Sequence, residues 1–99
     1  MSVQKGWGMK SILQTDKECI FCGRTPVEEH HVFGGANRKN STKYGLTVYL
    51  CHEHHNEPPE GVHFNKENRK RLQGWAEAIF KETYKGVKFE DIFGKNYED

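Results

Sequence analysis

Two short motifs of metal-binding residues stand far apart in the sequence. Cys19 and Cys22 form C-x-x-C, and Cys51 and His54 form C-x-x-H. Thiolate and imidazole are ligands that zinc prefers, and a structural zinc site takes four of them in a tetrahedron. The cysteine count of three is odd, which fits a reduced metal site better than a closed disulfide set. The sequence therefore predicts a structural Zn²⁺ held by these four residues.

Other interpretations of these motifs stay open. His55 follows His54 directly and could be the fourth zinc ligand in its place. A redox-active C-x-x-C or buried structural thiols are further alternatives. A redox motif normally opens a helix in a βαβ pattern, whereas Gly23 and Pro26 are typical of a turn. We therefore favour zinc.

The chain has six histidines, more than a structural zinc site needs. A histidine with an ordinary pKa near 6.5 can accept a proton at neutral pH, and its neutral ring can bind a transition metal. His52 belongs to no motif, and we expect it to face solvent. The surplus predicts a second, chemically active site if the fold brings the others together: His30, His31, His55 and His63.

Short elements must position these side chains. Residues 27–33 predict a strand that ends at Gly34 and Gly35, a pair typical of turns. Residues 35–44 predict a polar loop, and residues 46–50 predict a second strand leading into the second motif.

A long helix is predicted near the C-terminus. Asn65 can cap it, and it should run to about Tyr84 with Gly86 as its terminator. Residues 89–93 predict one more helical turn. Apolar residues recur at three- and four-residue steps along the long helix and predict a buried stripe: Leu72, Trp75, Ala76, Ile79 and Phe80.

The elements indicate an α+β fold in a single small domain. Residues 1–18 are polar, with Trp7, Ile12 and Leu13 as anchors, and we interpret them as a lead-in to a domain at residues 19–99. A chain of 99 residues buries a limited core, so a bound zinc would contribute to folding.

Three stretches of the sequence together resemble the HNH (ββα-metal) endonucleases, particularly small zinc-stabilised members carried by bacteriophages. They are the C-x-x-C motif, Glu-His-His-Val at residues 29–32, and Leu-Cys-x-x-His-His-Asn at residues 50–56. The resemblance covers roughly residues 19–84. It implies a ββα-metal fold with a pair of zinc knuckles and one long C-terminal helix. It also implies metal-dependent hydrolysis of DNA phosphodiester bonds with little intrinsic sequence specificity.

The resemblance assigns roles to the surplus histidines. His31 becomes the general base, His30 and His55 become ligands of a catalytic divalent metal, and His63 is the candidate third ligand. Imidazole ligands favour Mn²⁺, Ni²⁺ or Zn²⁺ over Mg²⁺. Taking Glu29 and His30 as the acid–base pair would shift every role by one residue, but the apolar residue that follows His31 matches the family. Asn40 is the nearest candidate for the family's middle asparagine.

Charge is informative only locally, because the net charge is +1. Two basic clusters flank the proposed site and should contact DNA phosphates with salt-dependent affinity: Arg38, Lys39 and Lys43, then Lys66, Arg69 and Lys70. No apolar stretch has the length of a membrane span and no secretory signal is visible, so we expect a cytoplasmic protein, in the host cell if phage-encoded.

Two rival functions remain at this point. The first is a non-catalytic zinc module that binds nucleic acid or protein. The second is an adaptor or inhibitor of another DNA enzyme. Phage replication or recombination proteins are further candidate partners of the expected nuclease.

Overall fold

Two strands and several helices make up the part of the chain that this computed structural model describes, residues 11–95 and 97. In chain order they are β1 (Glu28–His31), a 3-10 helix (Gly35–Asn37), α1 (Arg38–Tyr44), β2 (Thr47–Leu50), α2 (His52–Asn56), α3 (Lys66–Thr83) and α4 (Phe89–Phe93). This is a small mixed α/β fold. None of the described helices has the length and apolar character needed to span a membrane.

The two predicted strands are confirmed, although both are shorter than expected. They pair antiparallel, with Glu28 opposite Leu50 and His31 opposite Thr47. Leu50 leads directly into Cys51, so the second metal-binding motif lies beside the start of β1. The pairing therefore places Cys51 and the start of α2 beside the first residue of β1.

The predicted polar loop at residues 35–44 is wrong. The segment forms the 3-10 helix Gly35–Asn37 followed by α1. Gly45 ends α1 in the left-handed conformation with φ 76°, which glycine adopts at little cost. The segment has no apolar stripe, so periodicity did not reveal this helix.

Tertiary hydrogen bonds hold α1 in place. The Ser41 hydroxyl is fully buried, accepts from the backbone N–H of Phe33 at 3.0 Å and donates to the Phe33 carbonyl at 2.8 Å. The side-chain amides of Asn37 and Asn40 donate to carbonyls of α4. These bonds connect α1 to the segment that follows β1, and connect both α1 and the 3-10 helix to α4.

The long helix α3 begins as predicted. The Asn65 side chain accepts from the backbone N–H of Asn68 at 2.8 Å, which is an N-cap. Leu72, Ala76 and Phe80 are buried as expected, whereas Trp75 is 39% exposed and lies at the edge of the stripe.

The core lies between the sheet, α3 and α4. It centres on a group of aromatic side chains, with Phe33 contacting both Phe89 and Phe93. Ile12 and Leu13 pack against this core, and Trp7 lies outside the described residues. The boundary between a lead-in at residues 1–18 and a domain at residues 19–99 stays a prediction.

Candidate metal centres

The first candidate centre consists of the four residues predicted from the two motifs. Each of Cys19, Cys22, Cys51 and His54 offers a ligand atom, and these atoms lie within 4.8 Å of one another. Individual contacts are 3.7 Å between the sulfurs of Cys22 and Cys51, and 3.6 Å and 3.3 Å from His54 Nδ1 to the sulfurs of Cys19 and Cys51.

These separations fit a tetrahedral zinc site. Zinc–sulfur bonds of about 2.3 Å and zinc–nitrogen bonds of about 2.0–2.1 Å place the ligand atoms of a tetrahedron roughly 3.3–3.8 Å apart. The observed contacts fall in that range, so the cluster is compatible with a structural metal such as zinc. Four protein ligands complete the tetrahedron and leave no position for a substrate.

The backbone around Cys19 favours a thiolate. Burial raises the pKa of Cys19, but hydrogen bonds from the backbone of Cys51, Cys22 and Phe21 outweigh burial and lower it to about 6. Burial raises the pKa of Cys51. A bound cation would stabilise both thiolates, because metal ligands bind in their deprotonated form.

The structure separates the two adjacent histidines of α2. His54 points its Nδ1 at the cysteines, whereas the Nδ1 of His55 contacts Glu28 Oε1 at 2.6 Å. Successive helical residues are about 100° apart around the axis, so neighbours on α2 face different sides. Hence His54, and not His55, lies with the three cysteines.

The second candidate centre is a cluster of three histidines. His30 comes from β1, His55 from α2 and His63 from the segment before α3, and their ring nitrogens lie within 4.8 Å of one another. His63 Nε2 is 3.2 Å from His55 Nε2. The backbone N–H groups of Val62 and His63 donate to the carbonyls of His54 and His55, which fixes the segment against α2.

The surroundings lower the pKa of two of these imidazoles. Burial, and then the nearby charges of His55, His63 and His31, lower the pKa of His30 to about 3. Burial lowers the pKa of His63 too, followed by His55 and Arg69. A neutral ring presents a lone pair, so His30 and His63 are suited to bind a cation.

A carboxylate that the sequence analysis missed supports this cluster. Glu28 accepts from His55 Nδ1 and lies 3.1 Å from His52 Nδ1, and these two contacts lower the pKa of Glu28. His52 has an exposed side chain, as expected, but also contacts Glu57 at 3.4 Å. The sequence feature that could have identified Glu28 is its position two residues before His30, because side chains two residues apart on a strand lie on the same face of the sheet.

A surface cavity of about 570 Å³ opens beside the three histidines. His31, Arg38, Arg69 and Gln73 also line it. Burial, and then the charge of Arg38, lower the pKa of His31, while Glu29 opposes this shift. The lowered pKa favours a neutral His31 ring in the cavity that Arg38 and Arg69 also line.

The predicted basic residues divide between this cavity and the rest of the surface. Arg38 and Arg69 line the cavity, and Arg69 also donates to the Val62 carbonyl at 2.9 Å. The cavity lining does not include the four lysines of the two clusters, Lys39, Lys43, Lys66 and Lys70. Asn40 bonds to α4 instead of lining the cavity.

The arrangement combines a closed cysteine-rich cluster with an open histidine cluster in a cationic cavity. Comparisons of the chain with protein-family models, curated proteins and solved structures found no match.

Proposed function

We propose that this chain is a metal-dependent endonuclease of the HNH (ββα-metal) type that hydrolyses DNA phosphodiester bonds. The observation that carries the proposal is the convergence of His30, His55 and His63 in an open cavity, with His31 and two arginines beside them. A domain that binds zinc only for stability needs the four-ligand cluster and does not require this second cluster of histidines.

In this mechanism His31 is the general base. It takes a proton from water, which a neutral imidazole does efficiently near neutral pH. Arg38 and Arg69 would bind the phosphate oxygens and orient the phosphodiester in the cavity. His30, His55 and His63 would hold the catalytic divalent ion, which supplies positive charge to the developing negative charge of the phosphate and leaving oxygen.

The chemistry of the ligands supports a transition metal in this role. Imidazole suits Mn²⁺, Ni²⁺ and Zn²⁺, whereas Mg²⁺ prefers oxygen ligands. The 3.2 Å separation of the His55 and His63 nitrogens is close to the spacing of two nitrogen ligands on one such ion. The other, four-ligand cluster would hold the structural zinc.

A plasmid-nicking assay with Mn²⁺, Ni²⁺, Zn²⁺ and Mg²⁺ in turn tests the proposal. The wild-type protein should nick the plasmid with at least one ion, and His31→Ala should slow nicking by roughly 10²- to 10⁴-fold because it removes the base. Thr83→Ala is the control, since Thr83 is exposed on α3 and lies outside the cavity lining. Zinc content and the circular dichroism spectrum should be unchanged in both variants.

The same assay separates the rival functions. Wild-type protein that binds DNA and nicks it with none of the four ions would contradict the proposal and favour a non-catalytic zinc module. A stoichiometric complex with another DNA enzyme, again without nicking, would favour an adaptor or inhibitor. A phage origin, phage recombination partners and the host cytoplasm belong to this proposal through the resemblance alone.

A further inference from the structure

The proposed base has a fixed contact on one side of its ring. His31 Nε2 lies 3.0 Å from the hydroxyl oxygen of Thr42, which belongs to α1. The same hydroxyl lies 3.3 Å from the carbonyl oxygen of Arg38, one helical turn earlier. Thr42 therefore stands between a ring nitrogen and a backbone carbonyl.

The number of protons determines the directions of these hydrogen bonds. The Thr42 hydroxyl has a single proton, and the Arg38 carbonyl can only accept. Both contacts are hydrogen bonds in one assignment only: the hydroxyl donates to Arg38 and accepts from the Nε2–H of His31. In a neutral imidazole the other nitrogen, here Nδ1, then holds the lone pair.

We propose that Thr42 is a positioning residue that holds neutral His31 in the Nε2–H tautomer and so makes Nδ1 the proton-accepting atom. The catalytic consequence rests on the proposed function, whereas the tautomer does not.

Hydrogen bonds of neighbouring residues restrain the backbone of α1 around Thr42. The neighbouring Ser41 is bonded to both backbone groups of Phe33, and Asn40 donates to α4. The hydroxyl of Thr42 therefore meets the His31 ring from a fixed backbone. A base held in one tautomer and orientation loses less freedom when it reacts than a freely rotating base does.

Two substitutions and a matched control test this role. Thr42→Val keeps the branched shape without the hydroxyl, and Thr42→Ser restores the hydroxyl. Thr83→Val is the control, because the Thr83 hydroxyl makes the same bond to the carbonyl four residues earlier, at 2.8 Å from Ile79, but on another helix. The imidazole ¹⁵N chemical shifts of His31 in the zinc-loaded chain report the tautomer, and plasmid nicking gives kcat and KM.

We expect the Nε2–H tautomer in the wild type and in the Thr42→Ser and Thr83→Val variants. In Thr42→Val this preference should be lost, and kcat should fall by roughly 10- to 100-fold with KM unchanged.

Several results would overturn the inference. A wild-type His31 with its proton on Nδ1 would do so even if Thr42→Val failed to fold. A folded Thr42→Val variant that keeps the Nε2–H tautomer of His31 would also overturn it. So would a Thr42→Val variant that loses this tautomer preference but keeps the wild-type kcat. If Thr42→Val loses the tautomer but the wild type never nicks DNA, the tautomer assignment stands and the proposed function fails.

Discussion

At the scale of single residues, hydrogen bonds determine which ring nitrogens are free. Glu28 accepts from His55 Nδ1, so the opposite nitrogen, Nε2, faces His63 in the second cluster. A carboxylate behind a ligating histidine fixes its tautomer and raises its basicity. Glu28 and Thr42 thus act alike: each bonds one nitrogen of a histidine and leaves the other for chemistry.

Removing the Glu28 carboxylate should weaken cation binding by the histidine cluster. We expect Glu28→Ala to lower the affinity for Ni²⁺ by about 10- to 100-fold, because His55 loses its orienting partner. Isothermal titration calorimetry on protein already loaded with zinc measures this affinity. Glu53→Ala is the control, since the Glu53 carboxylate contacts Arg24 at 2.6 Å and does not line the cavity. Equal Ni²⁺ affinity in the two variants would contradict the role of Glu28.

At the scale of elements, the segment between α2 and α3 positions His63. Gly61 packs so closely against the end of α2 that a Cβ atom there would lie 2.6 Å from the backbone nitrogen of Glu57 and 2.7 Å from its carbonyl oxygen. The Gly61 N–H also donates to the Glu57 carbonyl. The lack of a side chain at residue 61 allows the chain to turn back so that Val62 and His63 can bond to α2.

Gly61→Ala should therefore destabilise the protein. Backbone atoms would have to move to admit the methyl group, and we expect the free energy of unfolding to fall by about 1–3 kcal/mol. Urea denaturation followed by circular dichroism measures the change. Gly34→Ala is the control, because a Cβ atom there meets nothing within 4 Å and the φ of −96° suits alanine. Similar urea midpoints for Gly61→Ala and the wild type would contradict this prediction, because they would show that the turn accommodates a Cβ atom.

At the scale of the whole molecule, two clusters with different surroundings share one small core. Cys19 and Cys51 are buried against the core, so a metal there would connect the turn after Cys19 with the end of β2. The histidine cluster lies in an open cavity instead. The two buried cysteines of the first cluster suit a structural role, and the cavity beside the second cluster suits binding of a ligand.

Loss of the first cluster should unfold the chain, and loss of the second should not. We expect His54→Ala to lose its zinc and its cooperative thermal transition, because zinc binding contributes directly to folding. His55→Ala should keep both and lose only the second metal. Zinc per chain by elemental analysis, together with a thermal melt, tests the pair. Zinc retained in His54→Ala but lost in His55→Ala would mean that His55, and not His54, is the fourth ligand of the structural zinc.

The sequence by itself determined the parts that depend on neighbours along the chain. The spacing of Cys19 and Cys22 indicated a metal-binding turn, alternating apolar residues indicated both strands, and Asn65 indicated the start of α3. Each of these signals is local, because ligand spacing, strand alternation and helix capping involve residues only a few positions apart.

Only the tertiary structure decided how these parts meet. It separated His54 from His55 through their different directions on α2, brought His63 to His30, and formed α1 where a loop was expected. These outcomes depend on contacts between residues far apart in sequence, such as the bond of Asn40 to the Ile92 carbonyl, and a local pattern does not encode such contacts. The partners Glu28 and Thr42 became visible for the same reason, since a hydrogen bond across elements exists only once the elements are packed.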